Sequence, residues 1–153
     1  MIWERAEIRS LKAFILTLRS PRLQPPRYID LPMADLYGDH WSTTGCRTPE
    51  FYASNESVYL PGRNLALFAK AATFCAVHRI PLLATGILNS NPFPDATPAF
   101  FRAMEKALRQ GLGSTLRIVA PFHSLAKEDV IRRGRDLRLD LTLSCARPRR
   151  GRH

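Results

Sequence analysis

Apolar residues recur every three or four positions near the start of the chain: Ile8, Leu11, Ile15 and Leu18. This spacing puts them on one face and predicts an amphipathic helix over residues 3 to 18. Ser20-Pro21 is expected to end that helix, because proline cannot continue it. After a proline-rich connection, the segment Tyr28 to Leu31 favours a short strand that Pro32 halts.

Helix and strand patterns alternate in the second half of the chain. Residues 65 to 78 are apolar on nearly all sides, which predicts a helix buried on several faces. The continuous apolar run from Ile80 to Leu88 predicts a strand of a parallel sheet covered on both faces. A helix over residues 98 to 110, a strand over 116 to 119 and a helix over 127 to 137 follow.

This alternation predicts an α/β fold, with a parallel sheet and flanking helices. The first predicted element is a helix, whereas a doubly wound nucleotide-binding unit normally starts with a strand and a phosphate loop. We therefore expect a partial Rossmann-like α/β domain, of the adenine nucleotide alpha hydrolase type, over residues 1–145. A basic C-terminal tail follows at 146–153. Residues 32 to 57 form a long loop in this interpretation.

The composition is that of one globular domain. The 153 residues are 45% hydrophobic and 24% charged, and a chain of this length can bury about two-thirds of its surface. It has no apolar run long enough to span a membrane and no secretion signal at its N-terminus, so we expect a cytoplasmic protein without a membrane partner. Its three cysteines are widely spaced and do not predict a disulfide framework.

The net charge of +10 raises the question of nucleic-acid binding. Four of the arginines lie in the last seven residues, whereas the middle of the chain mixes both signs. No element interleaves basic and aromatic residues as an RNA-binding face usually does. Nucleic acid is therefore not the expected partner. A non-enzymatic basic module that binds RNA or an acidic partner stays the alternative.

The turn before the second predicted helix suits an anion. Asn64 can cap that helix with its side-chain oxygen, and the free N–H groups would then face the same way as the Arg63 guanidinium. The alternative is an ordinary turn and cap with Arg63 solvated, since glycine and asparagine often precede helices.

Four segments occur in an order that identifies a family: Asp39-His40-Trp41-Ser42-Thr43-Thr44-Gly45, Tyr59-Leu60-Pro61-Gly62-Arg63-Asn64, Asn91-Pro92-Phe93-Pro94-Asp95-Ala96-Thr97-Pro98 and Leu143-Ser144-Cys145. Together they resemble the 7-cyano-7-deazaguanine synthase family, in the ATP-pyrophosphatase-loop class of nucleotide-binding proteins. The resemblance implies ATP-dependent conversion of 7-carboxy-7-deazaguanine and ammonia to 7-cyano-7-deazaguanine, in queuosine biosynthesis.

The resemblance also implies roles for residues in the second half of the chain. Arg63 and Lys127 are the cations expected to stabilise a departing phosphate, and Asn64 and Asp95 are expected to position nucleotide and substrate. A carboxylate at Asp95 suits the adjacent N–H donors of a guanine-like edge, on which Phe93 could stack. The alternatives are a helix-leading cap for Asp95, ahead of the helix that Thr97-Pro98 starts, and solvation for Lys127.

His40 and Trp41 are second-rank candidates for substrate contact, because their region leads to the active site in the related family. Cys145 matches the first of four cysteines that hold zinc in that family. The other three are absent from this sequence, and one cysteine cannot close a tetrahedral site.

Two more departures limit the expected function. No Ser-Gly-Gly-x-Asp-Ser phosphate loop occurs in the sequence, and Ala96-Thr97 stands where the family usually has Cys-Arg. We expect this chain alone to be an inactive, incomplete copy, which by itself binds neither ATP nor zinc well. A small deazapurine is the expected substrate, and a homodimer is left open.

Overall fold

The computed structural model describes residues 3–50 and 52–143. Its internal contacts divide the chain into two compact units, Met1–Val58 with Ile131–His153, and Tyr59–Val130. The mixture of helices with a small parallel sheet confirms the predicted α/β class. In the described part of the chain, no helix has the length and apolar character needed to cross a membrane.

The first unit contains one long helix and several short ones. Helix α1 spans Glu4–Thr17, close to the prediction, and contacts a 3₁₀ helix at Leu139–Leu141. Helices α2 (Ala34–Tyr37) and α3 (Trp41–Thr44) and a 3₁₀ helix at Asn55–Val58 lie within the predicted long loop. That loop is therefore more ordered than its composition indicates.

The predicted strand at Tyr28 to Leu31 is wrong. These residues carry no regular secondary structure, and no backbone hydrogen bond joins them to another part of the described chain. A strand needs a partner for its N–H and C=O groups, and sequence alone does not supply one. Tyr28 is instead half exposed, and the Lys12 ammonium lies 5.5 Å from its ring centroid.

Helix α4, Arg63–Val77, opens the helical part of the second unit. Its N-cap is Gly62, in the left-handed region at φ 71°, so the predicted cap at Asn64 is wrong. The helix also begins two residues before its predicted start. Its buried positions lie on one face: Asn64, Phe68, Ala72 and Cys75. Leu65 and Val77 are 52% and 73% exposed, so the prediction of a helix buried on several faces is also wrong. One face of α4 packs against the rest of the unit, and the opposite face is exposed.

The sheet consists of β1 (Leu82–Ala84) and β2 (Arg117–Val119), paired in parallel with Leu83 opposite Ile118. The parallel arrangement confirms the prediction, but β1 is much shorter than the apolar run that predicted it. Leu82 is 49% exposed, so the expectation of a strand covered on both faces is wrong. The apolar run continues past the point where strand pairing stops.

Helix α5, Pro98–Leu112, begins as predicted, because the Thr97 side chain accepts a hydrogen bond from the Phe100 N–H at 3.1 Å. It runs to Leu112, two residues past its predicted end, and its C-cap is Gly113, in the left-handed region. Its contacts with α4 include an edge-to-face pair between Phe68 and Phe101, whose ring centroids lie 5.3 Å apart.

The core of the second unit joins the two helices to the sheet. Ala72, Cys75 and Leu116 are buried there, and three partly buried leucines pack around them: Leu83, Leu108 and Leu112. Helix α6, Lys127–Arg133, follows β2 and ends before the predicted end at Leu137. A turn at Gly134, whose N–H donates to the Ile131 carbonyl, follows the helix.

Candidate ligand site at the carboxyl edge of the sheet

The carboxyl ends of β1 and β2 lie at the same edge because the two strands are parallel. The segments that follow them are joined there, since the Asn89 N–H donates to the Leu125 carbonyl at 3.2 Å. Ligands of open α/β sheets bind beyond this edge. The segment after β1 carries two of the predicted site residues, Phe93 and Asp95, and a third, Lys127, comes directly after the segment that follows β2.

A buried pair, Asn64 and Asp95, ties the first turn of α4 to the segment after β1. The Asn64 N–H donates to Asp95 Oδ2 at 3.0 Å, and Asn64 Nδ2 donates to the Asp95 carbonyl at 3.0 Å and to Oδ1 at 3.4 Å. Both residues are only 8% exposed. The Asp95 carboxylate therefore caps the N-terminus of α4, a role that a nearby side chain usually has. Its negative charge also interacts favourably with the positive end of the helix dipole.

This pair changes the anion site that the sequence predicts at the start of α4. The Arg63 N–H donates to the Leu60 carbonyl, and the Asn64 N–H is taken by Asp95. A carboxylate thus occupies the position at the helix end where a phosphate was expected to lie. The Arg63 side chain is exposed and has no ion pair with any described residue. It is the part of this turn that remains open to an anionic ligand.

An aromatic pair stands beside the Asn64–Asp95 contact. The rings of Tyr59 and Phe93 are stacked, with centroids 4.9 Å apart and planes 25° from parallel. The Phe93 N–H donates to Asn91 Oδ1 at 3.1 Å, and this hydrogen bond fixes the backbone there. Tyr59 was not among the predicted site residues, although it stands in the motif that ends at Asn64. Because Tyr59 covers one face of Phe93, a planar ligand could stack only on the other.

Lys127 is the first residue of α6, directly beyond the segment that follows β2. Its side chain is exposed, and no described residue forms an ion pair with it. Both predicted cations, Arg63 and Lys127, are therefore exposed in the second unit and have no carboxylate partner within residues 3–50 and 52–143. An unpaired ammonium is available to a ligand's phosphate oxygens.

The other two predicted contacts, His40 and Trp41, lie in the first unit. His40 is the N-cap of α3, where its Nδ1 accepts from the Ser42 N–H at 3.2 Å and lies 2.7 Å from Ser42 Oγ. The Trp41 indole N–H donates to the Ser57 carbonyl at 2.9 Å. The structure thus separates the predicted residues into two sets, one in each unit.

The described residues do not fit a zinc site. Cys145 lies outside them, and among them no group of three or more histidine, cysteine or acidic side chains is placed to hold a metal ion. Of the described cysteines, Cys46 is exposed and Cys75 is buried, and both are free thiols. Burial raises the pKa of the Cys75 thiol, as expected for a core residue.

Comparison with known proteins agrees with the order of the sequence motifs. The family described as "Queuosine biosynthesis protein QueC" matches residues 42–153. A 7-cyano-7-deazaguanine synthase of Methanosphaerula palustris is 26% identical over 142 residues, which cover 88% of this chain and 63% of that protein. No solved structure matches.

Two further proteins with the same description are similar over shorter stretches. The one from Thiobacillus denitrificans is 31% identical over 129 residues, 78% of this chain and 58% of that protein. The one from Anaeromyxobacter dehalogenans is 35% identical over 103 residues, 61% of this chain and 44% of that protein. The chain thus spans less than two thirds of the length of each of these relatives.

Proposed function

The chain belongs to the family of the queuosine biosynthesis protein QueC, and from this premise we propose that it carries the substrate-side part of a 7-cyano-7-deazaguanine synthase. The reaction is ATP-dependent conversion of 7-carboxy-7-deazaguanine and ammonia to the nitrile. The observation that carries the proposal is the buried Asn64–Asp95 pair, which holds two family motifs together at the carboxyl edge of the sheet.

Nitrile formation requires both oxygens of the substrate carboxylate to leave. The first oxygen leaves when ammonia displaces it to give the amide, and the second leaves when the amide loses it together with its two N–H protons. ATP is used at each stage, because each oxygen leaves readily only after it is joined to a phosphate group, in the first stage as a mixed anhydride. The residues of this chain would then oppose the negative charge of the departing phosphate. Arg63 and Lys127 suit that role, since both are exposed cations without a carboxylate partner among the described residues.

Asn64 and Asp95 contribute to this site in part by fixing the backbone that carries Arg63. Their hydrogen bonds hold the first turn of α4, and Arg63 is the first residue of that turn. Each oxygen of the Asp95 carboxylate has further lone pairs, so one remains for a ring N–H of the base. Phe93 is half-buried, and the ring face that Tyr59 does not cover offers a surface for stacking.

The triphosphate is not held by the described residues. The sequence has no Ser-Gly-Gly-x-Asp-Ser loop, and the start of α4 is already closed by a carboxylate. We therefore propose that the 153 residues alone do not form the nitrile and need a phosphate-binding segment from elsewhere. ATP use belongs to the assembled site rather than to this chain alone.

A chimera tests the proposal. The Thiobacillus denitrificans relative receives residues 59–130 of this chain in place of its corresponding segment, and the product is measured by mass spectrometry with ATP, ammonium and 7-carboxy-7-deazaguanine. We expect the chimera to form the nitrile and the 153-residue chain to form none. Nitrile formation by the isolated chain would contradict its inactivity. A folded chimera without product would contradict the role of the segment.

Variants of the chimera test whether the two cations stabilise the departing phosphate. Arg63→Ala and Lys127→Ala should each lower kcat by roughly 10²-fold or more, because each removes a charge that stabilises the departing group. Arg102→Ala and Lys106→Ala are matched controls, since both are exposed cations on α5. Equal activity in all four variants would remove Arg63 and Lys127 from the mechanism.

A further inference from the structure

One edge of β1 is open in the second unit. Along its other edge β1 pairs with β2, where the Arg117 N–H donates to the Pro81 carbonyl at 2.9 Å. Backbone groups of alternate residues point to opposite edges of a strand. The N–H and C=O groups of Leu82 and Ala84 therefore point away from β2, and no hydrogen bond from another described residue reaches them. We call this side of the strand the outer edge of β1.

The opposite edge of the sheet is blocked by a side chain. The Ile118 N–H points away from β1, and the Glu105 carboxylate accepts its hydrogen bond at 2.7 Å. Unpaired backbone groups of a strand are a template for another strand, and proteins commonly cover or block such edges. In this two-stranded sheet the edge of β2 is blocked in that way, whereas the outer edge of β1 is open to strand pairing.

The side chains of β1 are uncovered on one face of the sheet. Leu83 packs against the core beneath the helices, so its neighbours Leu82 and Ala84 point to the other face. Leu82 is 49% exposed, and Ala84 is exposed although its side chain is a single methyl group. A partner strand can therefore reach both the backbone of the outer edge and an apolar surface beside it.

The surroundings of the outer edge are basic. Arg117 is the register partner of Leu82 and lies on the same face of the sheet, and Arg79 comes shortly before β1. Both arginines are exposed, and neither has an ion pair with a described residue. The sequence has no acidic residue in 65–94 or in 106–127, the two stretches that contain the strands. The charge of this edge therefore complements that of an acidic partner.

We propose that the outer edge of β1 binds an extended segment of another protein, with alternating apolar and acidic residues, by strand addition. Backbone hydrogen bonds to Leu82 and Ala84 give such a contact its affinity, and the alternating side chains give it specificity. Residues of the added strand that lie beside Leu83, on the helix side, are apolar. Those on the uncovered face are acidic, because the added strand lies about 10 Å from β2 and a glutamate there can meet the long side chain of Arg117.

A second copy of this chain fits the outer edge less well. Each copy has a net charge of +10 and would bring its own Arg79 and Arg117 to the contact. Like charges placed opposite each other disfavour association. The expected partner is therefore a different protein.

Hydrogen exchange of the 153-residue chain, followed by NMR, tests the proposal without ATP or a deazapurine. The probe is an N-acetylated peptide that alternates valine and glutamate over about six residues, the usual length of a strand. We expect it to slow exchange at Leu82 and Ala84 about tenfold or more, in a saturable way, because it supplies acceptors for their N–H groups. Exchange at Arg117, whose N–H already has an acceptor, should change much less.

Substitutions separate the backbone contact from the charge. Ala84→Pro removes an N–H of the outer edge but no hydrogen bond to β2, and it should abolish the protection of Leu82, whereas Ala84→Val keeps the N–H and should keep the protection. Arg117→Gln should weaken binding of the peptide about tenfold at low salt. Arg102→Gln is the matched control, because it removes an exposed cation from α5, on the other face of the sheet. Circular dichroism checks that each variant is folded.

Three results would overturn the proposal. The first is unchanged exchange at Leu82 and Ala84 in the presence of the peptide. The second is equal protection by a control peptide that alternates valine and lysine. The third is a dimer of the chain, measured by sedimentation, that Ala84→Pro dissociates, because a second copy would then occupy the outer edge. None of these results depends on nitrile formation by the chimera, so this proposal and the proposed function can fail separately.

Discussion

The carboxylate of Asp95 accepts the backbone N–H of Asn64 at 3.0 Å across 31 positions of sequence. In return the Asn64 side chain donates to the Asp95 carbonyl. Each residue therefore satisfies backbone groups of the other, and both are nearly buried. The contact joins a helix start to a loop, and it makes the geometry of the carboxyl edge dependent on one pair of side chains.

Asp95→Ala should destabilise the protein by about 2 kcal/mol, because it leaves the buried Asn64 N–H without its acceptor and removes one of the two acceptors of Asn64 Nδ2. The measurement is urea unfolding followed by circular dichroism. Glu128→Ala is the control, since it removes an exposed carboxylate from the same unit. If both variants unfold at the same urea concentration, the pair contributes nothing to stability.

Gly62→Ala should cost about 1 kcal/mol of stability, because Gly62 has φ 71° at the N-cap of α4 and a side chain disfavours that conformation. An added methyl group would meet no atom within 4 Å at Gly62 or at Gly86, and of these two glycines Gly62 alone has a positive φ. Gly86→Ala is therefore the matched control in thermal unfolding. A larger drop in Tm for Gly86→Ala than for Gly62→Ala would contradict the conformational explanation.

Glu105 protects one edge of the sheet. Its carboxylate accepts the Ile118 N–H at 2.7 Å, whereas the neighbouring Arg117 N–H donates to Pro81 on the β1 side. Alternate N–H groups of a strand point to opposite edges, so Ile118 faces away from β1. Glu105→Ala should speed hydrogen exchange at Ile118 about tenfold or more and leave Arg117 protected. Equal acceleration at both amides would indicate general loosening instead.

Asp140 should titrate below its ordinary range. Hydrogen bonds from Arg138, at 2.8 and 2.7 Å, are the main cause of its lowered pKa. The pKa of Asp140 is lower in the folded state than in the unfolded state, so the ionised carboxylate stabilises the fold. This stabilisation is fully present above the unfolded pKa, near pH 3.9, and is lost as the pH falls through the folded pKa.

Carbon-detected NMR titration of the Asp140 carboxyl checks this direction. Arg138→Gln should move its midpoint to higher pH, because the partner of the ionised form is removed. Arg135→Gln, which removes a nearby arginine paired with Asp136, should leave the midpoint in place. An Asp140 midpoint that does not respond to Arg138→Gln would disprove the assigned cause.

The sequence by itself determined the α/β class, the order of the family motifs and the start of α5 at Thr97. The α/β class follows from the local spacing of apolar residues, and the start of α5 follows from the capping chemistry of Thr97. Both depend on residues that are close together in the sequence, and the motif order is read directly from it. The sequence also indicated a helix after Gly62 and a parallel sheet, although the bounds of both differ in the structure.

Only the tertiary structure decided the role of Asn64, the stacking of Tyr59 on Phe93 and the absence of a strand at residues 28–31. The first two depend on contacts between residues more than thirty positions apart, which a local pattern does not contain. The third depends on whether a partner strand exists. The start of α4 could be capped from nearby or from far along the chain, and folding placed the distant carboxylate of Asp95 there.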